Sequence, residues 1–163
     1  MKKIIKNIGF VMALMVVLMV AVVMLFAILC GQSPIQMLVS VIDLPSIIGI
    51  LVFVVPAIFI MRIGSDFGKA FMLGARQYSL MQLKNCVEAV STVQKLIVFA
   101  GIVEFVLGFI MIMIQNPEGS KLIANLAVAV LAIFYTAFFE LIILPLKVNA
   151  VVAMNIAMDM DEE

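Results

Sequence analysis

Glu104 and Glu140 each interrupt an apolar run, AGIVEFVLGFIMIM (100–113) and LAVAVLAIFYTAFFELIILPLK (126–147), that otherwise suits hydrocarbon. A charged group at the centre of a bilayer costs about 2.5–3.5 kcal/mol on insertion scales, so such residues face a bundle interior, a partner or a water path. Two chemistries fit a carboxyl there. In the first, the two residues accept and release protons or offer a counter-charge to a partner helix, with Thr136 one turn from Glu140 and Tyr135 beside it. In the second, both are held neutral and hydrogen-bond between helices or subunits as packing elements. Counted inward from Lys95 and Lys147, the two glutamates lie nine and seven residues deep. That is about 13 and 10 Å at the helical rise, which predicts similar depth on antiparallel neighbours.

No other group offers a reaction centre. The chain has no His and only two Cys, Cys30 and Cys86, with no second Cys near either, which argues against a zinc site or a Cys–His nucleophile. Met12, Met15 and Met19 share a helical face, and thioethers are soft copper ligands. No His or Cys joins them, however, and Met is a common filler of apolar packing. A nucleotide loop, a catalytic triad and a metal-ligand cluster are all missing from the sequence, so it reads as no enzyme and implies no cofactor.

The elements that carry these residues follow from composition. With 66% hydrophobic residues, 12% charged and a mean hydropathy of +1.32, the solvent of this chain is mostly lipid. Runs long enough to cross a core of roughly 30 Å occur four times, at about 8–30, 44–61, 96–115 and 122–146. The fold class is therefore an all-α membrane protein, one membrane domain over 1–163 with four transmembrane helices and a short helical cytoplasmic segment, 62–95, between the second and third. The last two spans form a hairpin through QNPEGSK. Lys2, Lys3, Lys6, Arg62, Lys69, Arg76, Lys84, Lys95 and Lys147 fall on one side of the spans and only Lys121 on the other. By the positive-inside rule both termini and 62–95 are cytoplasmic, and the outer loops near 31–43 and 116–121 are short. Cys30 and Cys86 then lie on opposite faces and cannot pair.

Local signals refine the picture. The first apolar stretch, at about 22 residues, exceeds the h-region of a cleaved signal, and Leu29 precedes Cys30 where lipoprotein processing wants a small side chain, so it reads as a retained anchor. Asp43-Leu44-Pro45-Ser46 is a helix start, with Asp43 or Ser46 able to accept free N–H groups and Pro45 tolerated in the first turn. Pro56 is interior and predicts a bend in the second span. Ser79 and Gln82 resemble a capping box, and Leu80, Leu83, Val87 and Val90 then recur on one face, with Ile97 continuing it after an interruption at Gln94. One helix beginning near Ser79 and running to Ile114 would be roughly 54 Å long and project well beyond the membrane. The alternative is an amphipathic segment on the inner leaflet, with Lys69, Arg76 and Lys84 at the headgroups. Gly101 and Gly108 mark a close-approach stripe on the third helix, and Ala129, Ala132 and Thr136 share a face of the fourth, with Asn125 above and Glu140 below. The tail MDMDEE (158–163) reads as a solvated acidic end or, less simply, a docking tag. An independent transporter is disfavoured, because the helices show no inverted repeat.

Three segments in order, VSVIDLPSIIGIL (39–51), AGIVEFVLGFIMIM (100–113) and LAVAVLAIFYTAFFELIILPLK (126–147), resemble the MotA/TolQ/ExbB proton-channel family, its MotA branch in particular. They match Asp-x-Pro-Ser entering the second helix, the spaced glycines of the third, and the Ala-Val-Ala to Tyr to Pro series of the fourth, here ending at Pro145. The resemblance covers roughly a third of the chain. It implies a subunit of an ion-driven (proton or sodium) motor or energy-transducing complex, such as the flagellar stator, in the bacterial inner membrane. It also implies a homo-oligomer, a pentamer, around a single-span MotB/ExbD-like partner that supplies the ion-carrying Asp. The lipid bilayer and these chains are the expected partners, with no nucleic acid. Departures stand beside the matches. Phe105 occupies the third-helix Thr position, Ala132 and Ile133 the fourth-helix Thr pair, Thr136 the Gly after Tyr135, and Glu140 falls near the family's Asn. The large rotor-engaging domain of that branch is represented only by 62–95. A non-conducting scaffold of the same family is the alternative.

Overall fold

The computed structural model describes Ile5, residues 7–115 and residues 119–161. Lys2, Lys3 and Lys6, residues 116–118 of the expected outer turn and the last two residues of the acidic tail lie outside the described residues. Six helices and no strand are found among the described residues: α1 Ile8–Leu29, α2 Pro34–Val41, α3 Leu44–Ile60, α4 Gly64–Ala70, α5 Leu80–Gln115 and α6 Ser120–Asp161. Four helical stretches are long and apolar enough to cross a membrane, Ile8–Leu29, Pro34–Ile60, Leu80–Gln115 and Lys121–Met160.

Helix α1 is apolar all round, the pattern of a helix whose surroundings are hydrocarbon, and it buries only Ile8 and Ala27, against α2 and α6. Asn7 caps its start by accepting from the Phe10 N–H at 3.4 Å. Its last turn closes through Gly31, whose φ of +69° is left-handed and costs an ordinary side chain strain.

The second span, α3, starts at Asp43 as expected, and the difference lies in the outer loop before it. Residues 34–41, expected as part of an outer loop, form α2, which Pro34 opens in its first turn. The chain then breaks at Ile42 and Asp43, both extended, before α3 begins. Asp43 accepts from the Ser46 N–H at 3.3 Å and from the Ser46 hydroxyl. Helix α3 runs unbroken through Pro56, so the interruption of this span lies at Asp43. The physical reason is satisfaction of polar groups: Pro56 forfeits one bond inside a continuous helix, whereas the break frees several backbone groups and is placed where side chains meet them. Alone, α3 is about 25 Å long, short of a bilayer core.

Beyond α3 the chain turns at Arg62, φ +56°, after which α4 carries an Asp66–Lys69 ion pair at 2.6 Å. That bond holds the Lys69 ammonium above the ordinary lysine pKa. The Ser79–Gln82 capping box forms: the Ser79 N–H donates to Gln82 Oε1 at 3.0 Å and the Gln82 N–H to Ser79 Oγ at 3.4 Å. From it α5 continues for 36 residues, about 54 Å, without a break. Helix α6 is longer still, 42 residues, and passes through Pro145 to Asp161, where the sequence spacing had ended the span near 146. Leu146, Ala150 and Ala153 explain the continuation, since they recur at helical spacing and are buried together with Leu83, Cys86 and Val90 of α5 in one core at the Lys-rich end. A second core, Ile50, Val54, Val93, Ile97, Ala100 and Tyr135, joins α3, α5 and α6 within the spans. Cys30 is exposed and Cys86 buried, and both are free thiols.

Candidate functional site

Small residues set the register of the α5–α6 hairpin. A Cβ placed on Gly101 would collide with the Thr136 hydroxyl and lie 2.9 Å from Thr136 Cβ, and one on Gly108 would lie 3.3 Å from Ala129 Cβ. Backbones therefore approach closely at two levels, seven residues apart on each helix. Continued, this register sets Ile133 opposite Glu104 and Ile97 opposite Glu140. The two carboxylates are thus seven residues out of step, about 10 Å along the axis, which corrects the expectation of equal depth. The counting failed because Lys95 and Lys147 are not level: the same register places Lys95 opposite Ile142, and α6 runs on past Lys147 into a packed core.

Glu104 projects from α5 onto α3, with its carboxylate against Gly49. Its Oε2 is buried and meets no donor among the described residues. Ser46 is nearby, but its hydroxyl and its amide are both spent on Asp43. Beside the carboxylate lies a cavity of about 390 Å³, lined by Ser46, Met111, Gln115, Asn125 and Ala132 among others. Glu140 sits one heptad nearer the Lys-rich end, with the buried amide of Gln94 beside it and its own Oε1 buried without a donor. The two carboxylates do not form a pair; the Gly101–Thr136 contact lies between them along the seam.

Tyr135 and Thr136 serve different ends from those their spacing suggested. Tyr135 is buried and turned toward the second span, where its hydroxyl donates to the Val41 carbonyl at 2.7 Å and accepts from the Asp43 N–H at 2.9 Å. It closes the α2–α3 break. The Thr136 hydroxyl donates to the Ala132 carbonyl at 2.8 Å on its own helix while the side chain presses on Gly101. Ala129 and Ala132 are buried in the same seam. Asp43 and Pro45 stand at the α3 start, Pro56 inside α3, and Pro145, buried, inside α6.

Three residues escaped the sequence argument. Gln94 was read as an interruption, yet it is buried on the same face as Val90 and Ile97. Gly49, a lone glycine in an apolar helix, carries the mark of close approach. Asn149 is buried, with Oδ1 accepting from the Ile5 N–H at 2.7 Å and Nδ2 donating to the Ile5 carbonyl at 3.3 Å. That amide holds Ile5 against α6. Compared with models of known families, with curated proteins and with solved structures, the chain matches none.

Proposed function

We propose that this chain is a MotA-like subunit of a bacterial inner-membrane complex driven by a proton or sodium gradient, with several copies surrounding a single-span MotB/ExbD-like partner. The observation that supports it most is the pair of separate intramembrane carboxyls, Glu104 and Glu140, each with a buried oxygen that no described residue satisfies. Structural polar groups at such depth are normally bonded. Both termini and 62–95 are assigned to the cytoplasm on the cation bias. The test is to co-express the chain with a neighbouring gene product that has one transmembrane helix bearing an Asp, purify the assembly and measure proton and sodium flux in proteoliposomes. Partner-dependent flux that Glu140→Gln abolishes is the expected result; flux unaffected by that change defeats the transport role of Glu140.

A second reading, a non-conducting scaffold, has its own support. Phe105, Ala132 and Ile133 stand where the resembling family has hydroxyls, and the hydroxyl of Thr136 is engaged within α6. Stable co-purification without flux through the assembly would favour the scaffold.

A further inference from the structure

We infer that the cavity between α5, α6 and the start of α3 is an aqueous vestibule for a small monovalent cation, entered from the hairpin end and terminating at Glu104. The inference rests on the proposed function and adds where the cation enters. Four observations carry it. The cavity, about 390 Å³, has room for roughly a dozen waters at their share of liquid volume. Its lining runs from Gln115, exposed at the last turn of α5, to Glu104, eleven residues or about 16 Å deeper. Polar groups stand at its two ends, Gln115 and Asn125 near the hairpin end and Glu104 and Ser46 at the foot, with Leu107, Met111 and Ile112 between them. At the foot, the free Glu104 oxygen faces no donor, because Ser46 is committed to Asp43. Cavities that stay dry in proteins are apolar, and the polar groups at both ends of this one offer water partners there.

The floor is equally defined. One turn below Glu104, Gly101 and Thr136 are in contact, and Ile50, Ala100 and Tyr135 close the interior around them. Among the described residues no Lys or Arg lines the cavity, so its field is negative, set by the Glu104 carboxylate when ionised and by Asp43 close to it at the α3 start. Charge of one sign in a low-dielectric cleft concentrates the opposite ion. The vestibule therefore selects cations before any step that carries them further.

Single cysteines test this in the full chain in sealed membranes, with Cys30 replaced by Ser: Asn125→Cys at the mouth, Ile112→Cys on the wall, Ala132→Cys at the foot, and Val130→Cys, exposed on α6 outside the cavity, as control. Each is labelled with a cationic and an anionic methanethiosulfonate, both membrane-impermeant, and with a permeant maleimide. Expected is labelling of residues 125, 112 and 132 by the cationic reagent about tenfold or more faster than by the anionic one, with the preference sharply reduced in Glu104→Gln and residue 130 reached only by the maleimide. Equal rates for the two charged reagents, or labelling of the cavity positions by the maleimide alone, would overturn the proposal. Should Ala132→Cys not fold, Ile112→Cys and Asn125→Cys still decide it. Labelling needs neither partner nor flux, so an accessible vestibule in a chain that conducts nothing would refute the transport reading and leave the vestibule standing.

Discussion

Gly49 and Glu104 are matched by absence: the glycine lacks the Cβ that would occupy the space of the Glu104 carboxylate. Gly49→Ala must therefore displace that carboxylate, and a flexible side chain with a cavity beside it can move. The expected cost in stability is small, about 1 kcal/mol or less, at the low end for overpacking. The effect belongs to the site: the charge preference at residue 132 should change while the melting temperature barely does. A large loss of thermal stability would show that the carboxylate is fixed.

Gly101 predicts the opposite balance. Here the obstacle is Thr136, β-branched and stiff on its helix, with Cβ itself 2.9 Å from the new carbon. Gly101→Ala should cost about 1–3 kcal/mol or more, because the helices have to separate. Thr136→Gly should recover part of that loss in the double variant, less about 1 kcal/mol for glycine within a helix. Thermal denaturation in detergent of the two single variants and the double gives the coupling; strict additivity would argue against the contact.

Tyr135→Phe removes one hydroxyl and orphans two backbone groups, the Val41 carbonyl and the Asp43 N–H. Leaving buried polar groups unpaired costs about 1–3 kcal/mol. The local consequence should exceed the global one, with faster amide exchange confined to residues 41–46. Exchange there identical to that of the unaltered chain would mean that the junction does not depend on Tyr135.

Asn149→Ala should release Ile5 while leaving α6 in place, since the amide bonds nothing else among the described residues. Protease nicking before α1 is the sensitive readout, expected to rise about 5-fold or more for a loss of about 1–3 kcal/mol at this contact. Unchanged nicking would assign the ordering of Ile5 to its apolar contacts instead.

How much of this was legible in the chain depended on how local the cause was. The α3 start at Asp43 and the capping box at Ser79 and Gln82 are written within four residues, and both form. The four apolar stretches are visible in composition alone. The depth of Glu104 relative to Glu140 is not local: it follows from Gly101 meeting Thr136, a choice of partner that spacing from Lys95 and Lys147 cannot express. The last fifteen residues of α6 were hidden by Pro145 and Lys147, which read as a stop, whereas the burial of Leu146 and Ala150 lies with residues of α5 far earlier in the chain. Gln94 was hidden by polarity, although it is buried on the face of Val90 and Ile97 and stands beside Glu140.

The bonds from Tyr135 to the α2–α3 junction span 92 and 94 residues of chain. At ribosomal rates of about 5–20 residues per second, the tyrosine emerges roughly 5–20 s after Asp43. During that interval the membrane-insertion machinery handles Pro34–Ile60 with nothing to close its break. The native form of the second span is thus conferred on it late, by the fourth, and a chain truncated before residue 135 cannot acquire it.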